Sequence, residues 1–107
     1  MILEITEIDV KPERYRAFEE AVAASEDLFQ RAKGWHGLEL HRSREIAGRY
    51  YLLVTWDTVE SHTIDFWQSA DFQIWRARVG ECFVKRPAVH HTDPCAVMMK
   101  REIANPG

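Results

Sequence analysis

Apolar and polar positions interleave along the first ten residues, where Ile2, Leu3, Ile5, Ile8 and Val10 are mixed with Glu4, Thr6, Glu7 and Asp9 until Lys11-Pro12 stops the pattern. That mixture of β-branched and polar residues predicts a first strand. From Pro12 the period lengthens. Tyr15, Phe18, Val22, Ser25, Leu28 or Phe29 and Ala32 recur at steps of three and four, with Glu13, Arg14, Glu19, Glu20, Glu26 and Arg31 largely opposite. This predicts one long helix, with Pro12 in its first turn and Gly34 as a left-handed cap at its end. Trp35 to His41 then alternates as a second strand, and Ala47-Gly48 marks a hairpin turn.

The returning strand, Tyr50-Tyr51-Leu52-Leu53-Val54-Thr55-Trp56, does not alternate. A sheet with helices on one face and water on the other shows a polar residue at every second place, so a run apolar in both registers predicts cover on both faces. One small domain with two helices covers one face, and a second copy of the chain is the economical cover for the other. Asp57-Thr58-Val59-Glu60 has the form of a capping box and predicts a second helix with Val59, His62, Thr63, Phe66 and Trp67 on one face. Ser69-Ala70-Asp71 reads as a fresh N-cap, after which Phe72, Trp75, Val79, Cys82 and Phe83 turn inward until Pro87. Ala88 to Met99 is expected as the last strand, with Asp93-Pro94 marking a bulge, an edge position or a bend. The elements follow the order β-α-β-β-α-β, an α+β, ferredoxin-like arrangement with a four-stranded antiparallel sheet.

Composition narrows the classes. A chain of 107 residues is one domain, here residues 1–99 with a tail over 100–107, and folding at this size hides about two thirds of the unfolded surface. Four Trp, five Phe and three Tyr build that thin core or line a cavity within it. Fourteen basic and seventeen acidic residues, net charge -3, leave no cationic stripe for nucleic acid. The amino terminus has neither the basic flank nor the apolar run of a signal peptide, and no stretch is long enough to span a bilayer, so a cytoplasmic protein without a membrane partner is expected. Cys82 and Cys95 are isolated and read as thiols used for packing.

Three segments resemble one family more narrowly. Lys33-Gly34-Trp35-x-Gly37 before a strand, Tyr50 to Trp56 running into Asp57-Thr58-x-Glu60-x-His62, and Phe66-Trp67-x-Ser69-x-x-Phe72 are similar to motifs of the antibiotic biosynthesis monooxygenase family of dimeric α+β barrels. The resemblance covers roughly residues 2 to 84. It implies a homodimer whose two sheets form a barrel, with a pocket between sheet and helices in each subunit. It also implies the chemistry of relatives that oxidise anthrones and quinols without a cofactor.

His62 is the candidate catalytic residue. An imidazole with an ordinary pKa near 6.5 could take the proton of a phenol or hydroquinone and leave an anion that reacts with oxygen directly, with neither metal nor flavin required. Its competing reading is a core histidine held by a hydrogen bond. Trp56, Trp67, Phe72 and Trp75 gather near the strand-to-helix connection and are candidates for the walls of a slot for a flat substrate, although aromatic residues at helical spacing also build cores. Thr6, Tyr51 and Thr55 are candidate donors to a developing oxygen anion.

His90, His91 and Asp93 are familiar ligand types, but neighbours on a strand point to opposite faces and His91 with Asp93 makes only two ligands, so no metal is expected. Haem-degrading relatives of the resembled family place an asparagine in the first strand and a histidine late in the second helix. Thr6 and Arg76 stand at those places here, and no haem is expected. The enzyme reading has one rival, a small-ligand-binding or stress-response module of the same fold without catalysis, and an open cavity reaching His62 is what separates the two.

Overall fold

The computed structural model describes residues 1–101 and shows a four-stranded antiparallel sheet with helices on one face. In chain order the elements are β1 (Ile2–Asp9), α1 (Tyr15–Ala23), α2 (Glu26–Gln30), β2 (Trp35–Arg42), β3 (Arg49–Trp56), a π-helical turn (Ser61–Phe66), α3 (Ala70–Val79) and β4 (Ala88–Thr92). The strands lie in the order β2-β3-β1-β4, with both crossovers carrying helices, which is the ferredoxin-like topology. Among the described residues no helix is long and apolar enough to cross a membrane.

The sheet's two faces explain the sequence pattern. Ile2, Glu4, Thr6 and Ile8 of β1 and Tyr50, Leu52, Val54 and Trp56 of β3 alternate into the interior, and β1 pairs with β3 from Ile2↔Trp56 to Asp9↔Arg49. Against them pack Phe18 and Val22 of α1, Leu28 and Phe29 of α2, Phe66 of the π-turn, and Trp75 and Val79 of α3. Burying each of these large side chains contributes about 1.5–3 kcal/mol before entropy is counted. Leu3, Ile5, Tyr51, Leu53 and Thr55 point the other way and are half-buried. The apolar register of β3 that has no helix over it is therefore confined to this face.

The long first helix expected over the Pro12 to Ala32 pattern is broken into two. Ser25, fully buried at the break, donates its hydroxyl to the Ala21 carbonyl at 2.7 Å, and Arg78 of α3 donates to the Ala24 carbonyl and to Ser25 Oγ at 3.2 Å each. A serine that bonds back to the carbonyl four residues earlier competes with the helix ladder and bends it, and here a guanidinium holds the exposed carbonyl. The periodicity survives because both pieces keep their apolar faces toward the sheet.

Capping of the second helical arm also differs from the expectation. Thr58, not Asp57, accepts from the Ser61 backbone N–H at 3.1 Å, while Asp57 Oδ1 is taken by His36 Nε2 at 2.5 Å. The predicted fresh cap is present: Ser69 Oγ accepts from Phe72 N–H at 3.1 Å and opens α3. Gly34 and Gly48 both have φ of +81°, the first ending the α2 segment and the second turning the β2–β3 hairpin. The last strand is shorter than expected, five residues at the sheet edge instead of the span from Ala88 to Met99. Asp93-Pro94 ends it, since proline has no N–H for the ladder.

Candidate functional site

The first-strand register sets the site. The alternation that buries Ile2 and Ile8 also carries Glu4 and Thr6 under the helices, where both are less than a tenth exposed. A carboxyl in that position needs partners. Trp56 Nε1–H donates to Glu4 Oε1 at 2.9 Å and the Thr6 hydroxyl donates to Oε2 at 2.5 Å. Burial pushes the Glu4 pKa up, and those two hydrogen bonds pull it part of the way back.

His62 stands beside this carboxyl on the π-turn. Its ring stacks on Trp56 with centroids 5.3 Å apart, and its Nε2 lies 3.2 Å from Glu4 Oε1. The π-turn gives it a second partner. The Trp67 backbone N–H bonds to the His62 carbonyl, five residues back, and the same spacing lets Trp67 Nε1–H donate to His62 Nε2 at 3.0 Å. On the far side of the ring, His62 Nδ1 is 2.9 Å from Nε2 of His91, which β4 places opposite Glu4 in the sheet.

These contacts fix the proton positions. A donor at Nε2 requires a lone pair there, so the His62 proton sits on Nδ1 and is donated to His91 Nε2. Burial, and secondarily the neighbouring charge of His91, lower the His62 pKa to about 4, which agrees with a neutral ring. The short approach to Glu4 is then not an ion pair. The one Nε2 lone pair is taken by the Trp67 N–H, so Glu4 keeps Trp56 and Thr6 as its donors. Glu4, His62 and His91 thus form a file of titratable groups from the closed interior to half-buried His91 on the exposed edge strand.

The file borders a cavity of about 900 Å³. Glu4, Thr6, Ile8 and Leu52 of the sheet form its floor, His62, Trp67, Phe72, Trp75 and Arg76 one wall, and the segment from Phe83 to Val89, with Arg86 and Pro87, the other. This size falls in the usual range for small-molecule sites, and the mixture of apolar walls with a few polar groups is typical of them. A second depression, of about 640 Å³ beside the β2–β3 hairpin, is lined by groups that already satisfy each other: Tyr50 donates to Glu19 at 2.5 Å, and Arg42 pairs with Glu19 at 3.5 Å.

Of the residues singled out from the sequence, His62, Trp67, Phe72, Trp75 and Thr6 meet at the cavity. Trp56 does not line it; it is fully buried behind the imidazole and serves as a stacking surface and a donor to Glu4. Thr6 lines the cavity, but its hydroxyl proton is committed to Glu4. Tyr51 and Thr55 lie on the opposite face, because they alternate with the inward residues of β3, and so do not reach the cavity. Glu4, His91 and Arg86 were not among the sequence-predicted site residues. The signal for Glu4 was its even-numbered register with Ile2 and Ile8; for His91 it was the cross-strand pairing, which one sequence does not display.

Comparison with known proteins agrees with this architecture. A crystal structure from Bordetella bronchiseptica, provisionally assigned as an antibiotic biosynthesis monooxygenase, is 53% identical, superposes with a TM-score of 0.86, and is matched over 88% of this chain and 96% of its own. A Bacillus subtilis protein, YczJ, uncharacterised, is 30% identical over 91 residues, which is 85% of this chain and 96% of that protein. SnoaB of Streptomyces nogalater, a cofactor-independent oxygenase, shares the fold with a TM-score of 0.77 at 13% identity, over 92% of this chain and 97% of its own. The family model described as antibiotic biosynthesis monooxygenase matches residues 1–78, and the chain belongs to that family.

Proposed function

We propose that this chain is a cofactor-independent monooxygenase that oxidises a small electron-rich aromatic compound, an anthrone or quinol, in the cavity beside His62. The observation that supports it best is a neutral imidazole, with an accepting Nε2, on the wall of a 900 Å³ aromatic cavity and backed by a second imidazole. Trp67 is 39% exposed, so its N–H is the contact that gives way when a substrate hydroxyl reaches Nε2. As Nε2 takes the substrate proton, Nδ1 passes its own to His91, and His62 stays neutral overall. The new Nε2–H then faces Glu4 Oε1. A ring with a pKa of about 4 is a weak base by itself, and the second transfer compensates for that weakness.

The substrate anion supplies the electrons. For an anthrone, one electron passes from the anion to O2, the two radicals combine as a carbon-bound peroxide, and loss of the remaining C–H proton with cleavage of O–O gives the ketone and water. One oxygen atom enters the product and the other leaves as water. The dry walls strengthen each hydrogen bond to the anion.

Oxygen uptake with a panel of anthrones and hydroquinones, chelator present and no flavin added, tests the reading. His62→Ala is expected to lower the rate by about 10²–10⁴-fold, the usual scale for a positioned base. Uptake no higher than background with every compound, or an unchanged rate in the variant, would sink it. A non-catalytic binding module remains the second reading, and the observation in its favour is that both ring nitrogens of His62 are already hydrogen-bonded.

The working unit we propose is a homodimer, closed by the sheet face that carries Leu3, Ile5 and Leu53, half-exposed apolar residues on the side away from the helices. Light scattering coupled to gel filtration should give twice the chain mass, and Leu53→Lys should give a single chain; a monomer in the unaltered protein contradicts the proposal.

A further inference from the structure

We propose that the cavity mouth is an anion clamp, in which Arg76 and Arg86 hold the carboxylate of an aromatic acid whose ring lies against Trp67, Phe72 and Trp75. The proposal rests on the reading of the cavity as a substrate pocket and names the class of molecule it takes. Arg76 follows Trp75 on α3, and Arg86 precedes Pro87 on the segment leading into β4, so two guanidinium-bearing residues from different parts of the chain line the same cavity.

Their neighbours are occupied elsewhere. Arg78 is committed to Ala24 and Ser25, Arg31 to Asp27 and Asp71, Arg49 to Asp9 and Glu7, and Lys85 to Asp9. Among the described residues neither Arg76 nor Arg86 lies within ion-pair distance of a carboxylate. Two exposed cations without acid partners, on a chain of net charge -3, border an aromatic cavity. The one acid inside it, Glu4, is at the floor and bound to Thr6 and Trp56, too engaged to serve as their partner.

A planar guanidinium offers a fork of donors that matches a carboxylate, and charge-assisted bonds of this kind are about twice as strong as neutral ones. The apolar walls reduce the screening that a bare surface pair would suffer. The clamp also orients the ligand. Aromatic walls hold a flat ring without choosing which edge faces inward, whereas an anion fixed at the mouth turns the opposite edge of the ring toward His62.

Quenching of tryptophan fluorescence by 2-naphthoate and by 2-naphthamide, rings of one shape that differ in charge, measures the clamp on the full chain. The acid is expected to bind roughly tenfold more tightly at low salt, with the advantage shrinking at high salt. In the R76Q/R86Q double variant the ratio should fall to about one while the amide binds as before. Both positions are exposed, and an unchanged melting temperature confirms that the variant is folded. His62→Gln should keep the ratio; its loss there would place the carboxylate on the imidazole and overturn the clamp. Equal binding of the two probes, a ratio that survives the double variant, or no binding of either also overturns it. If the charge preference holds while no compound supports oxygen uptake, the clamp stands and the oxygenase reading falls.

Discussion

Trp56→Ala is expected to cost the fold at least about 3–5 kcal/mol, the usual range for removing a large buried ring. Trp56 has no exposed surface, and it touches three parts of the molecule at once: Phe29 of α2, Phe66 of the π-turn and the stacked imidazole of His62. Its loss also leaves Glu4 Oε1 without a buried donor, a further penalty of about 1–3 kcal/mol. Set against a typical stability of about 5–15 kcal/mol, the variant is at or near the threshold of folding. Trp56→Phe separates the two contributions, since it keeps most of the packing and loses the N–H. Urea titrations of the three proteins measure both; a midpoint for Trp56→Ala near that of the unaltered chain would show that the ring does not join these layers.

Acid should weaken the fold through His62 between about pH 6.5 and pH 4. In the unfolded chain this imidazole takes up a proton near 6.5, while in the fold it stays neutral until about 4. Through that interval the unfolded state binds more protons, so stability falls as the pH falls, by up to about 3 kcal/mol. Glu4 acts with the opposite sign. Its raised pKa makes the folded state the better proton binder above the ordinary carboxyl value of 4.5, so its contribution falls as the pH rises. Asp9 and Asp71, held below the usual carboxylate range by Arg49 and Arg31, lose their contributions only below about the ordinary 3.8, outside the window. Unfolding free energies at half-unit steps from pH 4 to 7.5 should therefore slope less steeply in His62→Gln and more steeply in Glu4→Gln. Parallel curves for all three proteins would show that the file of buried groups does not control this range.

The fold was legible wherever burial alone decides a pattern. Period-three-to-four spacing found the helical arms, alternation found the second strand and the unbroken apolar run from Tyr50 to Trp56 the third, and the glycine after Lys33 and the serine before Ala70 marked true ends. Spacing failed where a side chain competes with the backbone. Ser25 is in phase with the apolar face of the first helix, and nothing in its phase announces that its hydroxyl will bond backward. The site was readable by half. His62 and the three aromatic residues that line the cavity share one helical arm, so their grouping is local, whereas Glu4 and His91 join them only through strand pairing. The doubly apolar register of β3 hid which of its residues face the helices, and that ambiguity put Tyr51 and Thr55 among the candidates.

The π-helical turn makes this site depend on a count of residues as well as on their identity. His62 and Trp67 meet, backbone to backbone and ring to ring, because they are five apart in a turn that holds one residue more than an α-helix closes over. With α-helical closure the His62 carbonyl would pair with Phe66, and the Trp67 indole would swing away from Nε2. Among relatives that keep both the histidine and the tryptophan, the spacing between them is thus itself a chemical variable: a chain one residue shorter there would hold the same two side chains and lose the contact that keeps the imidazole's proton on the His91 side.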